Sequence, residues 1–429
     1  MTARGPAPER SQVVVVGAGF GGIAATRHLA GRDDVDVTIV DQHNFHTFLP
    51  LLYQVATAGL EPADVAYPVR TIFGRAANVT FRHAQVVGFD LVGRRVRLAG
   101  GDDLAYDHLV VASGAAAQFF GIDGAAAHAL PLYTLGDARR LRNRLLTVLE
   151  TADAHPETVD DGAPVFVVVG AGPTGVETAG ALVELLEVCV RHDRLRIDAA
   201  RTRVVLVDAG SRVLAGFDPV ASRYADETLR DRGVELRLET PVASVAPDGV
   251  LLASGERLRA DAVVWAAGLT LDGTLAATLP GGQAPGGRVT VGDDLSLTAH
   301  PEVFVVGDAA AVPRGPGGEP CPQVAQVAIQ SGGHAARQVL ADLAGAPRTA
   351  FTYFDKGIMA TIGRRAAVAQ FPRGPIVRGT LGWLGWLGLH LVYLIGFRGR
   401  IKVLVNWCWR YLDWPSGPRL IVGDAESDP

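Results

Sequence analysis

The chain has 429 residues, 48% of them hydrophobic, and a mean hydropathy of +0.21: too long for one ordinary domain, and more apolar than a freely soluble enzyme requires. A net charge of −5 and a pI near 6.1 argue against a nucleic-acid partner, whose phosphates call for a basic stripe. Cys189, Cys321 and Cys408 are too few and too widely spaced for a disulfide framework or a metal site, so a reducing cytoplasm is expected and no metal.

Residues 1–10 read as a short disordered tail without the apolar core of an export signal, which keeps the catalytic body on the cytoplasmic side. The run Gln12-Val13-Val14-Val15-Val16 then has the length and β-branching of a buried parallel strand. Gly17-Ala18-Gly19-Phe20-Gly21-Gly22 follows and opens a helical stretch. In a G-x-G-x-x-G turn the first glycine permits the tight bend, the second lets backbone approach a pyrophosphate, and the last brings helix and strand together. A second strand, residues 35–40, ends at Asp41, about 20 residues beyond the glycines, where a carboxylate accepts from an adenosine ribose.

The pattern recurs. Residues 165–169 form a strand, Gly170-Ala171-Gly172-Pro173-Thr174-Gly175 the turn, a helix starts at Val176, and the strand 203–207 ends at Asp208. This acid comes later than usual, because residues 187–202 read as a charged insertion between helix and strand. Asp208 favours NADH, since a 2′-phosphate would face a like charge, although Arg212 is close in sequence. Loop-like stretches at 156–164 and 281–287 frame this unit as an insert, after which residues 303–306 form a strand that delivers Gly307-Asp308. Two dinucleotide sites in one chain suit one permanent flavin and one exchanging nicotinamide.

At this point the sequence resembles the two-dinucleotide-binding flavoproteins, and specifically the type II NADH dehydrogenases, over nearly its whole length. The resemblance rests on Phe48-Leu-Pro-Leu-Leu-Tyr-Gln-Val-Ala-Thr57, Val305-Val-Gly-Asp308, Ala325-Gln-Val-Ala-Ile-Gln330 and Asp355-Lys-Gly-Ile-Met-Ala-Thr-Ile-Gly363. Val111-Ala112-Ser113-Gly114 departs from the family's Ala-Thr-Gly by one hydroxyl residue. The fold expected is α/β: two Rossmann-like dinucleotide-binding domains of the glutathione-reductase kind plus a C-terminal membrane-associated helical tail. The FAD domain is expected at 11–161 and 288–350, the NADH domain at 162–287, and the C-terminal segment at 351–429.

The FAD contacts expected are Gly17, Gly19, Phe20, Gly21, Gly22, Asp41, Gln42 and Val86 from the first half. Ala112, Ser113, Gly114, Asp308, Gln326, Val327, Ala328 and Lys356 complete that set. NADH is expected on Gly170, Gly172, Pro173, Thr174, Gly175, Glu177, Asp208, Ala267 and Gly268. Pro322 suits a first helical turn, which puts Gln323, Gln326 and Gln330 on one helix face; there a glutamine amide can donate to a quinone carbonyl without carrying charge. Glu177 is read in the first turn of its helix, where the dipole stabilises a carboxylate, and the resemblance implies that it handles quinone or protons. Lys356 resembles the family lysine that approaches the flavin. Glu177, Lys356, Gln326 and Gln330 are the catalytic candidates. Cys321, beside the glutamine helix, reads as a small buried hydrophobe.

Residues 379–397 carry no formal charge, but five glycines and the interface-seeking Trp383, Trp386 and Tyr393 argue against a spanning helix. On a helix Trp383, Trp386, Leu387, His390, Leu394 and Phe397 share one face, expected in the lipid headgroups; Gly382, Gly385, Gly388 and Gly396 fall opposite, expected against the protein. In 401–414 Lys402, Asn406, Arg410 and Asp413 oppose Ile401, Leu404, Val405, Cys408 and Leu412, an in-plane anchor for an anionic lipid surface ending near Trp414. Such a tail also leaves apolar surface for a homodimer.

The function expected is therefore a non-proton-pumping NADH:quinone oxidoreductase, peripheral on the cytoplasmic face of the cell membrane. Two alternatives stay open: a soluble NADH-dependent flavoprotein reductase of a small redox protein, and a slow-turnover flavin redox sensor.

Overall fold

The computed structural model describes residues 10–158, 163–198, 200–280, 283–412 and 419–423. In chain order the elements used below begin with β1 (Ser11–Val16), α1 (Phe20–Leu29), β2 (Val35–Asp41), α2 (Leu52–Ala56), β3 (Val79–His83) and β4 (His108–Val111). β5 (Leu130–Pro131), α3 (Leu135–Ala154), β6 (Val165–Val169), α4 (Pro173–Arg191), β7 (Arg203–Val207), α5 (Pro219–Asp231), β8 (Val234–Arg237) and β9 (Ala262–Trp265) follow. The chain closes with β10 (Ser296–Leu297), β11 (His300–Val305), α6 (Ala325–Leu343), β12 (Ile358–Gly363), β13 (Ala366–Gln370), β14 (Val377–Arg378), α7 (Gly379–Tyr393) and α8 (Phe397–Leu412).

These pack as two compact units, one of residues 1–46, 67–116 and 269–355, the other of 47–66, 117–268 and 356–429. Packing divides the chain along other lines than the cofactor-based boundaries, because β5 pairs with β9 and α3 packs on α2, which draws 117–158 into the second unit.

The first unit is built on a sheet of order β10-β11-β4-β1-β2-β3, parallel except for β10. Val13, Val14 and Val15 are buried on both faces, as a parallel sheet covered by helices requires. The order runs outward from β1 in both directions, and the reversal between β1 and β4 opens a crevice at their C-terminal ends. Helix α6 lies against α1 with no room for side chains: a Cβ on Gly332 would fall 2.8 Å from the carbonyl carbon of Gly21. It begins at Ala325 after the extended Val324. Pro322 and Gln323 therefore precede the helix, and the stripe expected to include Gln323 starts one turn later. Gln323 instead donates its amide to the Asp308 carbonyl at 3.1 Å.

The second unit repeats the design with the order β5-β9-β6-β7-β8, all parallel. Its helix α4 has 19 residues where α1 has 10, so the late arrival of Asp208 comes partly from the longer helix, which runs through residues read as insertion. The remaining loop is tied by Asp198, which accepts from the amides of Ala200 and Arg201. Antiparallel β12, β13 and β14 pack on α4, where a Cβ on Gly180 would lie 2.7 Å from the Ile362 carbonyl carbon.

The tail forms α7 and α8, and no helix among the described residues is long and apolar enough to cross a membrane. The orientation of α7 is the reverse of the expectation. Trp383, Trp386 and Leu394 are buried, while Gly385 and Gly388 are exposed beside Leu381, Leu384, Leu389 and Val392. Two indoles have more apolar area to bury than a glycine strip, and Trp386 also needs a partner for its N–H. Gly382 alone of the exposed-side pattern follows the expectation, with the Ala367 and Val377 carbonyl oxygens 2.9 and 3.0 Å from where its Cβ would stand. In α8 Val403 and Trp407 turn inward; Ile401, Leu404, Val405 and Trp409 are exposed. Asn406 donates to Asp64 Oδ2 at 2.9 Å and Trp407 Nε1 to Gln54 Oε1 at 2.9 Å. The side chains of Phe397, Arg410 and Leu412, together with Asp413, Trp414 and the tail before Arg10, lie outside the described residues.

Candidate functional site

In the first unit β1 ends at Gly17, whose φ of +97° only glycine adopts at ease. A Cβ there would stand 2.8 Å from the carbonyl carbon of Ala112, at the end of β4, and one on Gly22 would stand 2.9 Å from that of Gly17. The protein itself thus demands the outer glycines. Gly19 is different: a Cβ on it would meet nothing within 4 Å, so its bareness keeps open space in front of the N-terminus of α1. Asp41 clamps the bend, accepting from the Ala18 amide at 2.6 Å with Oδ2 and from the His43 amide at 2.7 Å with Oδ1.

Around this turn the sheet delivers Ser113 and Gly114 (φ +73°) after β4, and Gly307 (φ +66°) and Asp308 after β11. The Gly307 amide donates to Ser331 Oγ at 3.1 Å, and Ala328 lies 3.2 Å from where a Cβ on Gly307 would stand. Ser113 Oγ is buried without a hydrogen-bond partner, a cost of roughly 1–3 kcal/mol that a bound polar group would relieve. The open space at Gly19 and the orphaned hydroxyl at Ser113 both fit a dinucleotide such as FAD laid over the turn.

The second unit builds the same turn. Gly170 has φ +107°; a Cβ there would stand 2.6 Å from the Ala266 carbonyl carbon and 2.7 Å from Ala267 Cα. A Cβ on Gly175 would stand 2.9 Å from the carbonyl carbon of Gly170, and one on Gly172 would meet nothing within 4 Å. Asp208 takes the Ala171 and Gly210 amides, each at 2.6 Å. Pro173 and Thr174 are exposed in the first turn of α4. Gly268 follows β9 against Phe120, whose Cζ would lie 2.6 Å from a Cβ. Arg212 gives its guanidinium to the Ala215 carbonyl at 2.7 Å.

Behind this turn stands Glu177. Its Oε1 accepts from the Thr361 amide at 3.2 Å, and the Trp386 indole N–H donates to the same carboxyl. Burial outweighs both donors and pushes the carboxyl up to about 8. Lys356 Nζ donates to Tyr393 Oη at 3.0 Å and lies 5.6 Å from the ring centre.

A family model described as pyridine nucleotide-disulphide oxidoreductase matches residues 11–332. The type II NADH:quinone oxidoreductase Ndh of Mycobacterium tuberculosis is 38% identical, over 98% of this chain and 92% of its own. This chain belongs to the type II NADH:quinone oxidoreductases. A member from Staphylococcus haemolyticus is 30% identical over 84% of this chain and 90% of its own. The fold agrees with the structure of NDH2 from Plasmodium falciparum in complex with NADH, at a TM-score of 0.85 with 18% identity, covering 97% of this chain and all of that one.

Within this type II oxidoreductase one expected residue, Glu177, sits elsewhere than the sequence suggested, and the others have the surroundings given below. Glu177 lies in the second turn of α4, with no acid in the first, so burial and not the helix dipole sets its charge state. Gln330 spends both ends of its amide on the Phe354 backbone, donating to the carbonyl at 2.9 Å and accepting from the amide at 3.0 Å. Val86 starts a separate antiparallel sheet of the first unit, and the Gln42 carbonyl accepts from His83. Cys321 is buried with its thiol pushed up by that burial, and Cys189 is pushed up to about 12. Sequence reasoning missed His46. Its Nδ1 holds the Ala18 carbonyl at 2.8 Å, Phe20 stands edge-on to its ring, and its Nε2 is buried without a partner. Nothing local in the sequence signals it, because it acts on a turn 28 residues earlier.

Proposed function

We propose that this chain is a non-proton-pumping NADH:quinone oxidoreductase that holds FAD on the Gly17 turn, takes NADH on the Gly170 turn and passes two electrons to a quinone. The duplicated turn carries the proposal: in each turn the middle glycine, Gly19 or Gly172, is the one at which a Cβ would meet nothing within 4 Å, as close approach of a pyrophosphate would have it. FAD, when bound, supplies the hydride acceptor that lets NADH and a quinone react in separate halves.

The protein's residues bind, orient and move protons. Gly17, Gly19, Phe20, Gly21, Gly22 and the amides at the start of α1 would lie under the pyrophosphate, with Asp41 and Gln42 at the ribose. Ala112, Ser113, Gly114, Asp308, Gln326, Val327 and Ala328 would line the remainder, Ser113 Oγ finding there the partner it otherwise lacks. Gly170, Gly172, Pro173, Thr174 and Gly175 would take the NADH pyrophosphate, Asp208 its ribose, and Ala267 and Gly268 the nicotinamide end. Making quinol needs two protons. Glu177, protonated near neutral pH, is assigned as one donor, and Lys356 as the second; Gln326 would orient the quinone, while Gln330 acts through Phe354.

The exposed apolar side chains of α7 and α8, with Lys402 and Arg400 among them, support peripheral attachment to an anionic lipid surface, assigned to the cytoplasmic face. The test is steady-state NADH oxidation by the full-length flavoprotein on liposomes with a quinone analogue. Turnover with flavin bound is expected. Turnover with a small redox protein in place of quinone would favour the soluble-reductase reading, and binding of both cofactors with negligible turnover the sensor.

A further inference from the structure

Helix α7 reaches both of the ionisable residues assigned to proton handling. Its Trp386 donates to the Glu177 carboxyl and its Tyr393 accepts from Lys356 Nζ at 3.0 Å. The two are seven residues apart, about two turns, so both project from nearly the same side of the helix. Trp386 is itself held firmly. It is 1% exposed, stacked on His390 with ring centres 4.0 Å apart, and set at 64° to Tyr53 of α2. His390 Nδ1 is fixed to the Trp386 carbonyl at 2.7 Å, and burial pushes His390 down to about 4, so the ring stays neutral beside the indole. The groups bearing on the Glu177 carboxyl are then two neutral donors, the Thr361 amide of β12 and the Trp386 indole of α7.

We propose that α7 is the positioning element of the proton-handling pair, Trp386 orienting the Glu177 carboxyl and Tyr393 orienting Lys356. This rests on the assignment of Glu177 and Lys356 made above, and neither aromatic residue is a proton donor to quinone itself. Both are suited to a cycle in which their partners change charge. An indole N–H can donate to a carboxylate oxygen and, more weakly, to the carbonyl oxygen of a carboxylic acid, and a phenol accepts from an ammonium and donates to an amine. Each partner can lose and regain its proton without leaving its place.

The test uses the full-length flavoprotein on liposomes and three conservative variants. Tyr393→Phe removes only the phenol oxygen, whereas Trp386→Phe removes the indole N–H together with part of a packed ring system; Trp407→Phe makes the same ring change in α8, at an indole that bonds Gln54 and neither ionisable residue. Trp386→Phe is expected to lower quinone kcat about tenfold and to move the upper pH inflection upward, because the carboxylate loses a donor. Tyr393→Phe is expected to lower kcat to a similar degree while leaving the quinone KM within about twofold, since the Lys356 ammonium loses the oxygen that holds it in place. Trp407→Phe should keep both the profile and kcat to within about twofold. Wild-type kcat and pH profile in Trp386→Phe and Tyr393→Phe would overturn the proposal, as would an equal loss in all three variants with unmoved inflections. Tyr393 is partly exposed and loses a single oxygen, so its variant decides the matter should Trp386→Phe fail to fold. Absence of quinone turnover in the unaltered protein would sink the function; turnover lost in Glu177→Gln but intact in both aromatic variants would sink only the role of α7.

Discussion

The turns at Gly17 and Gly170 are built alike: positive φ at the first glycine, the same 2.9 Å approach from the last, an aspartate clamping the second residue's amide at 2.6 Å. They differ in what stands behind them. Behind the first lies α6, sealed on α1 through backbone contact at Gly332, with a buried Ser113 hydroxyl that has no hydrogen-bond partner at the end of β4. Behind the second, α4 carries a half-buried carboxyl that desolvation pushes up to about 8. Equal cradles with unequal surroundings suit a retained cofactor on one side and an exchanging substrate beside an acid on the other.

Filling each cradle breaks that comparison most sharply. Gly19→Val is expected to abolish flavin retention while the circular dichroism of the folded chain persists, since no protein atom opposes the new side chain. Gly172→Val should keep the flavin and raise the KM for NADH by roughly tenfold or more. Flavin loss from Gly172→Val with retention in Gly19→Val would exchange the two assignments.

Glu177→Gln comes next, with quinone turnover expected to fall about a hundredfold and NADH titration of the bound flavin unchanged. In the unaltered protein turnover should decline as pH rises through about 8, where the acid form is lost. Thermal stability should follow the same sign. The carboxyl titrates higher folded than unfolded, so its contribution is complete below the ordinary carboxylate range, declines above it and is gone past about 8. A melting curve for Glu177→Gln with the same pH dependence as the parent would contradict this.

Leu384→Asp with Val392→Asp is expected to release the protein from anionic liposomes in a sedimentation assay, leaving the fold intact because both side chains are exposed. A parent protein that does not sediment but shows a doubled mass by light scattering would assign the same face to a second copy. The smallest effect belongs to Gln330→Ala, expected to cost about 1–2 kcal/mol through its two bonds to Phe354, read as a lowered denaturation midpoint.

Much of this was legible in the chain. β6 and β7 fall on the residues that their β-branched runs mark, and both glycine turns follow from spacing, because a parallel strand, a tight turn and a helix N-terminus are local events. Gly307 and Asp308 were legible as a strand end, where an open sheet binds ligands, and Ser113 through the resemblance alone. Three things were not. Pro322 and Gln323 read as helix until the Asp308 carbonyl took the glutamine amide. The Glu177 carboxyl read as dipole-stabilised until Thr361 and Trp386, about 180 and 210 residues onward, closed around it. The faces of α7 read backwards, because periodicity separates Trp386 from Gly385 and Gly388 without saying which side the body of the protein will cover. Sequence by itself determined two dinucleotide turns and an apolar tail, since each depends on neighbours a few residues away. Only the tertiary structure decided which of the tail's faces is buried and what it holds, since desolvation and a partner for an indole N–H belong to residues that meet across hundreds of positions.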